Sequence, residues 1–193
     1  DQAQLQIDNE RVRTLIVDRK LTPFDSMGSD IVIGRNTVHH DLDDNAVACV
    51  EMKSTDPSYI LYTSGTTGSP KGIQRDTGGY AVALAASMRL IYGCRPGEVF
   101  FCASDIGWVV GHSYLVYGPL INGCTTVLYE GLPTKPHSDI WWDIVEKYSV
   151  SIMFTSPTAI RVLKKEKSHN EKQPKTESLR SLFLAGEPLD TGT

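Results

Sequence analysis

An α/β fold with a mainly parallel sheet and helices on both faces is predicted by three features of this 193-residue sequence. Short apolar runs recur at Tyr59–Tyr62, Val99–Ala103, Thr125–Tyr129, Ser151–Phe154 and Ser181–Ala185. Segments of helical character separate most of them, the alternation that gives parallel strands with crossover helices. A glycine- and hydroxyl-rich run then follows the first of these strands, at the carboxyl end where open α/β sheets bind ligands.

Each element has its own local reason. Residues 1–55 read as an irregular α/β segment, with a strand at Val12–Val17 and a short one near Ile31–Ile33, separated by Pro23 and Gly28. Residues 56–193 read as a second, more regular unit. Tyr59-Ile60-Leu61-Tyr62 reads as a buried strand. A helix is predicted over Asp76–Tyr92, because Tyr80, Leu84, Met88 and Tyr92 recur every four residues on one face, and Gly93 suits its C-terminal stop. Further helices are predicted over His112–Ile121, ending at Asn122-Gly123, over Asp139–Tyr148, and over Pro157–Lys167. Pro157 fits a first helical turn, with Ser156 as its cap. The polar, proline-bearing stretch Ser168–Glu177 reads as a solvated connection.

Composition excludes several classes. At 40% hydrophobic and 22% charged the chain can bury a sizeable core. A net charge of -4 and a pI near 5.7 argue against a nucleic-acid or anionic-membrane partner held by bulk electrostatics. No run approaches the roughly 18 apolar residues of a membrane span, and no basic segment followed by an apolar run opens the chain. Cys49, Cys94, Cys102 and Cys124 form no CxxC pair and read as reduced core thiols. Asp41, Asp43 and Asp44 beside His39 and His40 lack the spacing of a metal site and read as a solvated acidic turn, so no metal ligands are assigned.

The chemistry concentrates in Tyr62-Thr63-Ser64-Gly65-Thr66-Thr67-Gly68-Ser69-Pro70-Lys71-Gly72. Gly65, Gly68 and Gly72 let a main chain adopt positive φ and approach an anion, while Thr63, Ser64, Thr66, Thr67 and Lys71 add donors and a positive charge. It is not a Walker A loop, since Pro70 stands where the second glycine is required. The string resembles the phosphate-loop signature of the adenylate-forming superfamily, which includes acyl-CoA synthetases, luciferases and peptide-synthetase adenylation domains. By that resemblance the chain is part of the large N-terminal domain of such an enzyme. Thr63, Ser64, Gly65, Thr66, Thr67, Gly68 and Lys71 would then hold the ATP phosphates.

Two more strings extend the likeness from about Tyr59 to Asp190. Ser104 through Tyr114 resembles the acyl-pocket segment of short-chain acyl-CoA synthetases, which implies that Trp108, Val109, Val110 and Gly111, with Ala185, bound the alkyl tail. Ala185-Gly186-Glu187-Pro188 resembles the family's adenine motif, which implies base contacts at Gly186, Glu187 and Pro188. Val-Val after the tryptophan, and alanine before Gly186, resemble the propionyl-CoA synthetase branch; an acetyl-CoA synthetase or other short-chain ligase remains the alternative, and a non-catalytic nucleotide-binding module is the alternative of another class. The implied reaction takes MgATP, a short carboxylate and CoA to acyl-adenylate and then thioester, in the cytoplasm or a mitochondrial matrix. The chain lacks the family's later magnesium-holding, ribose-binding and catalytic-lysine segments, so it is expected to be a central piece of a longer enzyme and inactive alone. No certain catalytic residue is assigned beyond phosphate stabilisation by Lys71.

Overall fold

The computed structural model describes residues 15–18, 31–34, 48–63, 68–166 and 175–192. It divides into two units, Asp1–Glu51 and Met52–Thr193. In the first, β1 (Leu15–Asp18) pairs in parallel with β2 (Ile31–Gly34), Leu15 facing Ile31. The acidic turn at His39–Asp44, the predicted strand residues Val12 to Thr14 and the polar stretch from Lys167 to Pro174 lie outside the described residues.

The second unit is built on a four-stranded sheet. Its strands are β5 (Val99–Cys102), β6 (Thr125–Val127), β7 (Ile152–Thr155) and β8 (Ser181–Leu184), in the order β6-β5-β7-β8 and all parallel. Phe100 lies beside Ile152, and Cys102 beside Phe154. The chain runs from β5 outward to β6, then crosses back over β5 to β7. The direction of winding therefore reverses between β5 and β7, the place where such sheets open a crevice at their carboxyl edge.

Alternating side chains feed two cores. On one face Phe100, Cys102, Ile152 and Phe154 pack with Met88 of α1 (Thr77–Leu90), with Tyr92 just past its end, and with Leu115. On the other, Phe101, Val127 and Met153 pack with Trp141, Ile144 and Val145 of α4 (Ile140–Tyr148), and α5 (Pro157–Lys165) adds Ala159 and Leu163. Helices thus cover both faces, as the apolar strand runs require. Of the predicted stripe, Leu84 and Met88 are buried on α1 and Tyr80 is half-buried, while Tyr92 is buried just past the helix's end. Asp76 caps α1 by accepting from the Gly79 N–H at 3.2 Å, and Ser156 caps α5 by accepting from the Ala159 N–H.

Three sequence expectations are corrected. The run at Tyr59–Tyr62 is not a buried strand of the parallel sheet. It lies in β3 (Pro57–Thr63), which pairs antiparallel with β4 (Lys71–Asp76), a strand the sequence pattern did not reveal. Every residue of β4 is exposed, so it carries none of the apolar signature that marks a strand, and its pairing rests chiefly on backbone hydrogen bonds. The helix after it consequently starts at Thr77 and ends at Leu90, inside the predicted span. The helix predicted from His112 begins earlier, with α2 (Val109–Gly111), then a π-helical stretch (His112–Tyr117), then α3 (Gly118–Ile121). Finally, Cys94, Cys102 and Cys124 are buried thiols but Cys49 is exposed. Among the described residues no helix is long and apolar enough to cross a membrane.

Candidate functional site

The phosphate-loop string forms the tip of the β3–β4 hairpin. Thr63 ends β3 and pairs across the hairpin with Lys71, which begins β4, so the two stand at the loop's mouth. Ser64, Gly65, Thr66 and Thr67 lie outside the described residues. Gly68 has φ +82 with nothing within 4 Å of where a Cβ would sit, so its need for glycine is conformational. Gly72 is different from what the sequence suggested. It lies in an extended strand, and a Cβ there would stand 3.0 Å from Ile60 Cγ2 and 3.2 Å from the Tyr62 ring. Its missing side chain makes room for those two residues instead of for an anion. Lys71 is exposed, and among the described residues no carboxylate pairs with it.

An aromatic contact ties the hairpin's base to the second segment. Tyr59 of β3 stands edge-on to Tyr80 of α1 at 5.5 Å and to His112 at 5.4 Å. His112 directly follows Gly111, so the hairpin is anchored beside the Trp108–Gly111 string. The Tyr80 hydroxyl, 2.7 Å from Ser113 Oγ, joins the same cluster, and burial pushes its pKa up to about 12. None of these contacts was foreseen, because strand, helix and π-helical residues far apart in sequence make them.

The Trp108 segment leaves the carboxyl end of β5. Asp105 organises it as a turn: Oδ1 accepts from the Gly107 N–H at 2.6 Å and its carbonyl from the Trp108 N–H at 3.2 Å. Trp108 is 70% exposed, which rules out the role of core filler. Val109 and Val110 are half-buried, and Val110 packs against the core beneath α1. Gly111 is buried with its Cα against main chain, since a Cβ would lie 2.2 Å from the Asp105 carbonyl oxygen and 2.6 Å from Ile106 Cα. It closes the turn, whereas Trp108 offers open surface.

The third segment leaves β8. Ala185 donates its N–H to the Thr155 carbonyl at 3.2 Å, and Gly186 follows at φ +102. The Glu187 carboxylate accepts from the Thr158 N–H at 2.9 Å, at the start of α5, and from Arg161 Nη1 at 2.8 Å. Arg161 also donates through Nε to Asp190 Oδ2 at 2.9 Å and through Nη2 to the Pro188 carbonyl at 2.9 Å. Hydrogen bonds from Thr158, then from Arg161, hold the Glu187 carboxyl below its ordinary value; those to Asp190, then Glu187, raise the Arg161 guanidinium. The Glu187 carboxylate is therefore taken up by Thr158 and Arg161 of the same chain. Sequence reading missed the roles of Thr158 and Arg161. Two carboxylates three residues apart, Glu187 and Asp190, hint at a shared cation, but nothing local identifies which.

The structure thus brings the Trp108 and Gly186 segments to the carboxyl edge of one sheet, after β5 and β8, on either side of β7. Beside β5 and β6 a cavity of about 660 Å³ opens at this edge, lined by Ala103, Ser104, Ile106, Leu128, Leu132 and Trp141 among others. A second hollow of about 500 Å³ runs along β6 and α4, away from the three segments.

Comparison with known proteins adds the family. The AMP-binding enzyme family model matches residues 2–193. The whole chain is 53% identical over 194 aligned residues to propionate–CoA ligase of Escherichia coli, of which it covers 31%, and equally to propionate–CoA ligase of Salmonella typhimurium. Over 140 residues, 72% of the chain, it is 48% identical to acetyl-coenzyme A synthetase of Novosphingobium aromaticivorans, covering 22% of that protein. The chain spans about a third of the length of the ligases it matches end to end.

Proposed function

The chain belongs to the AMP-binding enzyme family, and from that premise we propose that it forms the nucleotide- and acyl-binding part of a ligase. That ligase joins a short carboxylic acid, propionate in preference, to CoA through an acyl-adenylate made from ATP. The observation that carries this reading is 53% identity along the entire chain to two propionate–CoA ligases. Residues 56–193 supply the binding surfaces. Thr63 and Lys71, with the loop between them, hold the β and γ phosphates. The main chain of Gly186 to Pro188 meets the adenine, and Trp108 to Val110, with Ala185, bounds the alkyl tail.

The chemistry asked of these residues is holding and charge neutralisation. A carboxylate oxygen attacks the α-phosphorus, the bond to the bridging oxygen breaks, and pyrophosphate leaves with the electron pair. A cationic Lys71 and loop donors favour that step by stabilising the departing charge. CoA thiolate then attacks the acyl carbon and displaces AMP. Magnesium would enter with the nucleotide; among the described residues no group of three or more His, Cys, Asp or Glu converges, so they furnish no cage for it.

The preference for propionate over acetate is read from two positions, Val110 and Ala185. Ala185 leaves room that a larger side chain would fill, and one methylene in an apolar pocket separates substrates by about 10- to 200-fold. The test is carboxylate-dependent ATP–pyrophosphate exchange by the full-length protein, with propionate and acetate compared at equal concentration. Faster exchange with propionate is expected. Absence of exchange with any short acid would overturn the proposal.

A further inference from the structure

The turn after β8 has almost nothing apolar to hold it. Ala185 through Asp190 are all exposed, Leu189 at 54%, and Gly186 at φ +102 has no neighbour within 4 Å of where a Cβ would stand. A glycine pivot in an exposed turn would leave the main chain many conformations. What restrains it is α5. Arg161 reaches Glu187, Pro188 and Asp190 with one guanidinium, and the Thr158 N–H takes the other oxygen of Glu187. One turn further along, Lys164 donates to the Gly192 carbonyl.

The helix is a firm support for such a clamp. Pro157 at its first position is buried, Ser156 caps it, and Ala159 and Leu163 pack on the sheet. The planar guanidinium presents donors in a fixed fork, so three acceptors on one turn are held in a defined relative geometry that a lysine could not impose.

We propose that Arg161 is the positioning residue of the base-binding turn, fixing the main chain from Glu187 to Asp190 and thereby setting selectivity for adenine over other purines. This rests on the reading of Gly186 to Pro188 as the adenine contact. Because Arg161 is bonded to the turn itself, it acts through the turn and not on the nucleotide. An exocyclic amine and a carbonyl present opposite hydrogen-bonding character to a main-chain reader, so a fixed turn discriminates and a loose one does not.

The experiment compares ATP with inosine triphosphate in pyrophosphate exchange by the full-length protein, before and after Arg161→Met. The expected result is a fall of about tenfold or more in the ATP-to-ITP ratio of kcat/KM, the scale of one lost charge-assisted hydrogen bond. It should come chiefly through KM for ATP, with affinity for pyrophosphate retained. Arg161→Lys should recover little of the ratio; full recovery would mean that charge alone suffices and would overturn the fork. An unchanged ratio in a folded Arg161→Met protein overturns the proposal while leaving the adenine site standing. No nucleotide-dependent exchange in the unmodified protein overturns the reading beneath it. Should Arg161→Met fail to fold, Asp190→Asn carries the test by weakening one arm, and a ratio equal to that of the unmodified protein overturns the proposal.

Discussion

The sheet centre and the β3–β4 hairpin are both made of strands, yet they are held by different forces. Phe100, Phe101, Ile152 and Met153 in β5 and β7 are essentially inaccessible, with helices above and below. In the hairpin Ile60 is 55% exposed, Tyr62 69% and Ile73 42%, and β4 has no buried residue. Burial on two sides ties position to stability, whereas a ladder of backbone bonds tolerates most side chains, Gly72 beside Ile60 and Tyr62 excepted. The difference suits the tasks proposed for them: the sheet fixes where strand ends lie, and the hairpin carries the glycine-bearing loop proposed to hold the phosphates. Tyr59, wedged against Tyr80 and His112, is where the second region takes its position from the first.

The comparison is most directly broken by truncating one apolar residue in each region. Phe100→Ala, at 0% exposure and 5.4 Å from the Tyr92 ring, should cost about 3–5 kcal/mol. Ile73→Ala in β4 should stay within about 0.5 kcal/mol. Chemical denaturation of both variants decides it, and similar costs would mean that the hairpin is packed as tightly as the sheet.

Lys71→Ala should leave the fold intact but lower pyrophosphate exchange by about ten- to a hundredfold, since a charge-assisted contact to a desolvated phosphate is worth about 1.5–3 kcal/mol. Exchange near that of the unmodified protein would remove Lys71 from the site.

Pocket size gives a smaller effect. Ala185→Val fills space beside the Gly186 pivot and should shift preference from propionate toward acetate by about tenfold, through overpacking against the longer tail. The ratio of kcat/KM for the two acids measures it; an unchanged ratio assigns the limit to other residues.

The smallest effect concerns pH and an ion pair at the sheet's amino edge. Arg180 Nη2 donates to Glu98 Oε2 at 2.8 Å and to the Gly93 carbonyl at 2.7 Å. The Arg180 hydrogen bond, opposed in part by burial, holds the Glu98 carboxyl below its ordinary value. Stabilisation from a depressed carboxylate is fully present above the unfolded glutamate pKa and is lost as pH falls through the lower folded value. For this partly exposed pair it should amount to about 1 kcal/mol or less. Glu98→Gln should therefore lower stability by up to about 1 kcal/mol at neutral pH, change it little well below the ordinary glutamate value of 4.5, and so flatten the acid limb of the stability profile. An acid limb identical to that of the unmodified chain would show that the pair contributes nothing.

Legibility in the sequence followed the same division. Strands β5 to β8 and helices α1, α4 and α5 were readable because burial writes itself as periodicity: Tyr80, Leu84, Met88 and Tyr92 mark a face, and Ser156-Pro157 marks a start. Strand β4 was not readable, because Lys71-Gly72-Ile73-Gln74-Arg75-Asp76 is exposed throughout and looks like loop. The π-helical stretch was equally hidden, since its bonding differs from an α-helix by one residue and leaves no pattern.

What the sequence by itself determined is the parallel α/β character of the second unit and the family, the latter through three strings whose spacing survives without coordinates. Only the tertiary structure decided that Gly72 serves side-chain packing, that Trp108 is exposed, that the Glu187 carboxylate is taken by Thr158 and Arg161, and that the phosphate-loop string caps an antiparallel hairpin. The physical reason is range. Periodicity and capping are local and repeat within a few residues, whereas Arg161 meets Asp190 across 29 positions and Tyr59 meets His112 only after the sheet has brought their elements together.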